Sequence, residues 1–301
     1  MTERYAEFRD TLIEAGWLIP TGVEGLYGKS GEFEAVVEGV CAMVQRAAAD
    51  LKPKLVRFPP VLNREHFLRT DYLNSFPDLM GSIHTFHGTD QDHARLLSLL
   101  QAGDDWTQTL TPAEVVLTPA ACYPVYPMSS GALPEGGSYF DIINWCFRHE
   151  PSIDPCRMQA FRQQEIVCIG TPAQAEAFRN RWIDAGQELM VSLGLAVEAV
   201  VANDPFFGRA GRMLSANQRD EALKYEITCV VASDEKPTAI VSCNCHRDHF
   251  SAPFDITTFD GQVAHTACVG FGVERITLAL VNSHGLESDR WPAAVRNVLG
   301  T

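Results

Sequence analysis

The sequence has no apolar stretch approaching the about 20 residues needed to cross a bilayer. Its opening, Met-Thr-Glu-Arg-Tyr-Ala-Glu, lacks the basic-then-apolar order of a secretion signal. Positive charge is scarce. Twenty-four Lys and Arg face 38 Asp and Glu, a formal net charge of -14 at pH 7. A surface that acidic repels phosphate backbones, so bulk nucleic-acid binding would need a focused basic patch. Low-complexity tracts, internal repeats and a Gly/Ser/Pro-rich linker are all missing. The 9 cysteines follow no framework spacing, which argues for core thiols plus a few ligands or nucleophiles over disulfides. These absences exclude membrane-spanning, fibrous, disordered and disulfide-scaffold classes and leave a soluble cytoplasmic protein as the expectation.

What is present is a globular composition, 46% hydrophobic and 21% charged over 301 residues. Phe33, Val36, Val37, Val40, Cys41 and Val44 recur at helical spacing, predicting an amphipathic helix over 32–50. Its stripe fits either the protein's own core or a dimer contact. Leu55-Val-Arg-Phe58 reads as a short strand ended by Pro59-Pro60, and 90–102 as a helix closing at Gly103. From about residue 115, β-rich runs appear at 138–148, 159–169, 196–202, 224–232 and 238–245, interrupted by a helical pattern at 172–194. Clustered strands with helices before, within and after predict an α+β fold, an antiparallel β-sheet flanked by helices. The simplest division is a short helical N-terminal extension, 1–30, and one catalytic-sized domain, 31–301.

Two stretches carry chemistry. Phe147-Arg148-His149-Glu150 ends one β run, and Arg157-Met158-Gln-Ala-Phe161 leads into the next. If Pro151–Pro155 is a hairpin loop, Arg148 and Glu150 project from one sheet face. An Arg, a carboxylate and an aromatic ring on such a face suit a phosphate, an exocyclic amine and a base. A solvated strand of alternating charge is the plain alternative. Gly270-Phe-Gly272-Val-Glu-Arg275 then runs strand, glycines, helix. Backbone N–H groups at that helix start would favour an anion, and a bound phosphate would explain a cation at the wrong end of the dipole. A Gly bend for close packing is the alternative here.

Taken together, Phe-Arg-x-Glu, an aromatic strand and, about a hundred residues on, Gly-Phe-Gly-x-Glu-Arg resemble motifs 2 and 3 of class II aminoacyl-tRNA synthetases. Leu117-Thr-Pro-Ala-Ala-Cys122, Lys224-Tyr-Glu226 and Val241-Ser-Cys-Asn244 are similar to stretches of the seryl branch, and Phe58-Pro-Pro with Tyr72-Leu-Asn-Ser-Phe-Pro77 to motif 1 and its sequel. The likeness covers roughly 30–285. With only about 30 residues ahead of this core, the chain most resembles the amino acid:carrier-protein ligases, relatives of methanogenic-type seryl-tRNA synthetases.

The resemblance implies a class II synthetase-like catalytic core and a two-step reaction. Amino acid and ATP give aminoacyl-adenylate, and the phosphopantetheine thiol of a carrier protein then takes the aminoacyl group. It implies one Zn2+ per subunit on Cys122, Glu165 and Cys268, three ligands with an open position for the substrate's α-amino group. It implies Mg2+ with ATP, although Ala239 stands where the seryl pattern has a metal-binding Glu. Arg148 and Arg275 become the catalytic pair. Arg148, Glu150, Arg157, Met158, Phe161, Lys224 and Arg275 surround ATP, while Glu165, Ala239, Ile240, Val241 and Ser242 border the amino acid. Glycine is the first substrate expected, alanine the second and serine the third. A homodimer is implied and no tRNA. A rival metal cluster, Cys243-Asn-Cys245-His246, lacks familiar ligand spacing and is better read as pocket or core. Arg209, Arg212 and Arg219 form the candidate carrier-docking patch, with a solvated helix face as the alternative. Two other readings remain open: a minimal aminoacyl-tRNA synthetase paralogue acting on RNA, and a non-catalytic regulatory paralogue.

Overall fold

A computed structural model describes residues 2–204, 207, 218, 221–233 and 236–300. The proposed docking arginines, Arg209, Arg212 and Arg219, lie outside them. The chain opens with α1 (Thr2–Glu14), the hairpin of β1 (Leu18–Pro20) and β2 (Tyr27–Lys29), and α2 (Gly31–Ala47). Then come β3 (Lys54–Val56), β4 (Val61–Asn63), α3 (Arg64–Leu68), α4 (Tyr72–Ser75), β5 (Ser82–Phe86), α5 (Asp90–Ala102) and β6 (Leu110–Leu117). The second half adds α6 (Val125–Met128), β7 (Gly131–Ala132), β8 (Ser138–Phe147), β9 (Ala160–Gly170), α7 (Pro172–Ser192) and β10 (Val197–Ala202). It closes with β11 (Lys224–Cys229), β12 (Thr238–Arg247), β13 (Ile256–Thr257), β14 (His265–Gly272), α8 (Val273–His284) and α9 (Ala293–Leu299).

Helix ends follow local chemistry. The Ser30 side chain caps α2 by accepting the Phe33 N–H, with Glu32 and Glu34 in the first turn and Arg46 in the last. Thr171 and Gln174 form a capping box on α7 with Pro172 in its first turn. Thr89 and Asp92 do the same for α5, which closes at Gly103 in the left-handed conformation, φ 75°.

The central sheet has seven strands in the order β10-β11-β12-β14-β9-β8-β3. Neighbours pair antiparallel except at one edge, where β3 lies parallel to β8. The sheet is therefore mixed at that edge, and the strand there is shorter than the run to Phe58 suggested. One sheet face meets α2, α7 and α8, with Phe33, Val40, Trp182, Phe271 and Ile276 fully buried between them. The apolar stripe of α2 thus packs on the chain's own core and not on a second copy. Leu12, Trp17 and Leu18 join the same cluster, so α1 and the β1 strand share the core of the catalytic-sized unit. The opposite face carries a second cluster, including Tyr126, Ile142, Val167 and Phe254. Among the described residues no helix is long and apolar enough to cross a membrane.

Candidate active site

Strand pleating places the site. Successive side chains alternate between faces, so Phe161, Gln163 and Glu165 of β9 point to the side away from the helices, as do Cys268, Gly270 and Gly272 of β14. Ser242 and Asn244 of β12 join them, with Ser242 opposite Gly270 and Asn244 opposite Cys268. These residues floor a cavity of about 540 Å³ whose walls include Tyr72, Tyr123, Arg148, Met158, Lys224 and Arg275.

At one end lies a cationic and aromatic cluster. β8 stops at Phe147, so Arg148 and Glu150 are not strand neighbours as their spacing suggests. The Arg148 N–H donates to the Gln159 carbonyl at 2.9 Å across the base of the hairpin, and both side chains still reach the cavity. Arg148 Nε donates to the Pro119 carbonyl at 3.1 Å, and its guanidinium lies 5.6 Å from the Phe161 ring centre. Arg275 Nε and Nη1 donate to the carbonyls of Cys156 and Ala239 at 2.8 and 3.0 Å. Burial, with Arg157 and Arg148 nearby, holds the Arg275 pKa below its ordinary value despite opposing acidic groups. A cation so placed gains from an arriving anion. Its neighbour Glu274, at the cavity's edge, accepts from Arg162 N–H and Nε, each at 2.8 Å, which pins the start of α8 to β9. Arg157 Nη1 bonds Glu150 at 3.0 Å and is absent from the cavity lining.

At the other end Cys122, Glu165 and Cys268 bring their ligand atoms within 4.8 Å of one another, all three buried. Cys122 arrives on the turn after β6, where the Ala121 N–H donates to Glu165 Oε1 at 3.1 Å. Glu165 Oε2 is buried with no hydrogen-bond partner. Hydrogen bonding with Cys268, burial and the Glu165 charge push the Cys122 thiol far up. The bond with Cys122 lowers Cys268, but burial and Glu165 outweigh it and its thiol is raised too. Burial likewise raises Glu165. An unsatisfied carboxylate oxygen between two thiols that resist ionising fits a bound divalent cation, which would favour all three charged forms. Two sulfurs and one carboxylate form a donor set suited to zinc.

The remaining expected residues also find places. Lys224 is buried in the wall, bonded to Asp204 and 3.1 Å from Glu226. Ala239, Ile240, Val241 and Ser242 line the cavity, as does Met158. The rival cluster does not assemble. Cys243 is fully buried in the helix-side core, while Cys245 and His246 border the cavity outside the three-ligand group. Sequence reasoning missed Gln163, Tyr123, Asp204, His249 and Phe250 in the lining. Period-2 extension back from Glu165 was a signal for Gln163, but the loop residues offered none.

The tRNA synthetase class II core domain (G, H, P, S and T) matches residues 111–284. Amino acid–acyl-carrier-protein ligase 2 of Bradyrhizobium diazoefficiens is 44% identical over 281 residues, covering 93% of this chain and 84% of the relative. Ligase 1 of the same organism is 43% identical, covering 93% and 86%. The type-2 serine–tRNA ligase of Methanopyrus kandleri is 26% identical over 277 residues, 84% of this chain and 52% of that one. Among solved structures, M. kandleri SerRS bound to A. aeolicus tRNASec superposes with a TM-score of 0.82 at 23% identity, over 97% of this chain and 60% of that one. That likeness shows the fold, the class II core with its α+β architecture, whose members work on ATP with Mg2+. Joined to the extended identity with the two ligases, it makes this chain an enzyme of the amino acid–acyl-carrier-protein ligase family, built on the class II aminoacyl-tRNA synthetase core.

Proposed function

We propose that the chain activates a small amino acid, glycine first and alanine second, as aminoacyl-adenylate and transfers it to the phosphopantetheine thiol of a carrier protein. One observation carries this reading. The Arg148–Phe161–Arg275 cluster and the Cys122–Glu165–Cys268 group share a sheet face and line one cavity. The amino-acid carboxylate attacks the α-phosphorus of ATP and pyrophosphate leaves with the bonding electrons. Positioning and charge stabilisation dominate such a step. Arg148 meets the α-phosphate, its plane fixed by Pro119. Phe161 stacks on adenine and Glu150 accepts its exocyclic amine. Arg275, locked by two carbonyls, covers the base and reaches the terminal phosphate. Arg157 approaches the distal phosphates from the rim, and Met158 and Lys224 close the walls.

Cys122, Glu165 and Cys268 would hold a zinc ion, one per subunit, which when bound supplies a Lewis-acid seat for a neutral α-amino group. Ala239, Ile240, Val241 and Ser242 border the amino acid. A pocket discriminates one methyl group by about 1–3 kcal/mol, so alanine follows glycine closely. In the second step the carrier thiolate attacks the activated carbonyl, AMP departs, and the thiol proton passes to solvent. The reading includes a homodimer in the cytoplasm and excludes tRNA as acceptor.

The test is amino-acid-dependent exchange between pyrophosphate and ATP, followed by phosphopantetheinylated carrier protein and tRNA offered in parallel. Exchange with glycine or alanine and thioester on the carrier alone is the expected result. Charged tRNA without charged carrier would move the assignment to RNA. No exchange with glycine, alanine or serine would leave a non-catalytic paralogue.

A further inference from the structure

We infer that His246 is a positioning residue for Cys268, donating its Nε2–H to the Cys268 sulfur while the Thr266 hydroxyl fixes the ring. The inference rests on the proposed metal reading of the three-ligand group and adds what holds one of its sulfurs.

The geometry begins with a backbone irregularity. β12 and β14 pair residue for residue up to Cys245 opposite Ala267, after which Arg247 lies opposite Thr266. His246 is thus the extra residue of a bulge, and Arg247 beside it adopts φ 54°, a left-handed conformation unfavourable for a side chain other than glycine. Bulges next to active sites commonly re-aim a side chain. This one brings His246 Nε2 to 3.7 Å from Cys268 Sγ and Nδ1 to 3.2 Å from Thr266 Oγ1. The ring is clamped edge-on by Phe250, 5.0 Å away, which itself stacks flat on Tyr126 at 4.4 Å.

A metal-bound Cys268 thiolate only accepts, which favours the tautomer with its proton on Nε2 facing the sulfur; the fully buried Thr266 hydroxyl, able to donate or accept, then donates to Nδ1. The opposite tautomer would set a nitrogen lone pair against a thiolate. His246 stands outside the group whose ligand atoms all lie within 4.8 Å. In this proposal it therefore orients a ligand and does not bind the ion. Asn244 Nδ2 provides a second donor to the same sulfur at 3.5 Å. Two N–H groups on one thiolate withdraw electron density from it, leaving a bound cation a better acceptor for an amine, and they fix the direction of the sulfur.

The experiment compares wild type, His246→Gln and His246→Phe. Zinc affinity is measured by chelator competition, and the sulfur-to-metal charge-transfer band is recorded on Co2+-loaded protein. Gln keeps an N–H donor, whereas Phe fills the ring's space without one. Phe is expected to weaken zinc binding about 10–100-fold, as loss of outer partners of metal ligands does, and to shift the Co2+ band. Gln should restore most of both. Equal affinity and an unchanged band in the Phe variant would overturn the inference, as would a Gln variant no better than Phe. If the Phe variant fails to fold, Thr266→Val replaces it and should weaken binding in the same direction. Wild-type affinity in that variant would also overturn the inference. Failure of the wild type to bind zinc would instead strike the underlying metal reading.

Discussion

Replacing Glu165 by Gln removes one negative charge and almost no volume, so it separates metal binding from packing. Glu165 Oε1 accepts the Ala121 N–H at 3.1 Å, and an amide oxygen accepts that bond equally well. Oε2 has no partner and is buried against the two cysteines, and there the variant offers an NH2 that cannot ligate a cation. Metal-free wild type carries a buried carboxyl group whose ionisation is opposed by burial. Exchanging it for a neutral amide should move the melting temperature of the chelated protein by less than about 2 °C, under about 1 kcal/mol for a chain of this size.

The loaded protein behaves differently. A ligand at 100 times its Kd stabilises the folded state by about 2.7 kcal/mol. At about 2 °C per kcal/mol for a chain this long, wild type gains about 5 °C. The Gln variant, reduced to two sulfur ligands, should gain only about 1–3 °C at the same zinc concentration, because a lost anionic ligand weakens binding at least as much as a lost outer partner, about 10–100-fold. Scanning calorimetry on chelated and zinc-supplemented samples reads all four numbers. A variant that gains the same 5 °C (roughly, by the same relation) would refute Glu165 as a ligand. A collapse of the chelated variant would refute the claim that its role is separable from packing.

Three further outcomes follow from the same contacts. Phe161→Leu should raise the KM for ATP in pyrophosphate exchange about 2–10-fold, the equivalent of about 0.5–1.5 kcal/mol for a lost ring contact, with the KM for the amino acid unchanged; equal shifts in both would remove its assignment to the base. Glu274→Ala strips Arg162 of two 2.8 Å bonds in a buried setting. The expected loss is about 2–4 kcal/mol by urea denaturation, at the lower side of broken buried pairs because Glu34 still holds Arg162 Nη1 and Nη2. The third concerns Asp204. Burial raises its carboxyl, but Lys224 and Gln218 outweigh burial and hold it below the usual value. A depressed native pKa stabilises the fold above the unfolded value of 3.8 and is lost as pH falls through the lower native value. Wild type should therefore melt above Asp204→Asn at pH 7, and the gap should begin to narrow below about pH 4, near where an unfolded Asp takes up its proton, closing only below the native value. A gap that stays constant as pH falls below about 4, near where an unfolded Asp takes up its proton, would refute the pairing.

How far the sequence carries differs between fold and site. The sheet strands were legible because alternation and β-branched runs mark them, and α5 because a capping residue and Gly103 bracket it. The parallel edge of the sheet was not. β3 is three residues long, too short for its periodicity to reveal a direction. In the site, Arg148 and Phe161 could be placed from local pattern, since one hairpin brings them together. Cys122, Glu165 and Cys268 could not, because each sits on a different segment and looks alone like a buried small or paired residue. Resemblance named them and the fold then gathered them. Cys243-Asn-Cys245-His246 shows the converse. Contiguity suggested one cluster, yet pleating sends Cys243 into the core and the bulge turns His246 towards Cys268.

The two ends of the site are tied by one strand, and its length is informative. Phe161 and Glu165 share a face of β9 four residues apart. At about 3.3 Å per residue this puts the proposed base seat about 13 Å from the proposed amine seat. An extended aminoacyl-adenylate is of that order from its base to its amino group, with the phosphate between them, and Arg148 lies against the Phe161 end of that line. Because the period is two, a slip of one residue in β9 would bury Phe161, Gln163 and Glu165 against the helices and turn Arg162 and Gln164 outward. Arg162 is held on the helix side by Glu34 and Glu274. That ion network therefore fixes the register on which both halves of the chemistry depend, and one of its members, Glu274, borders the cavity itself.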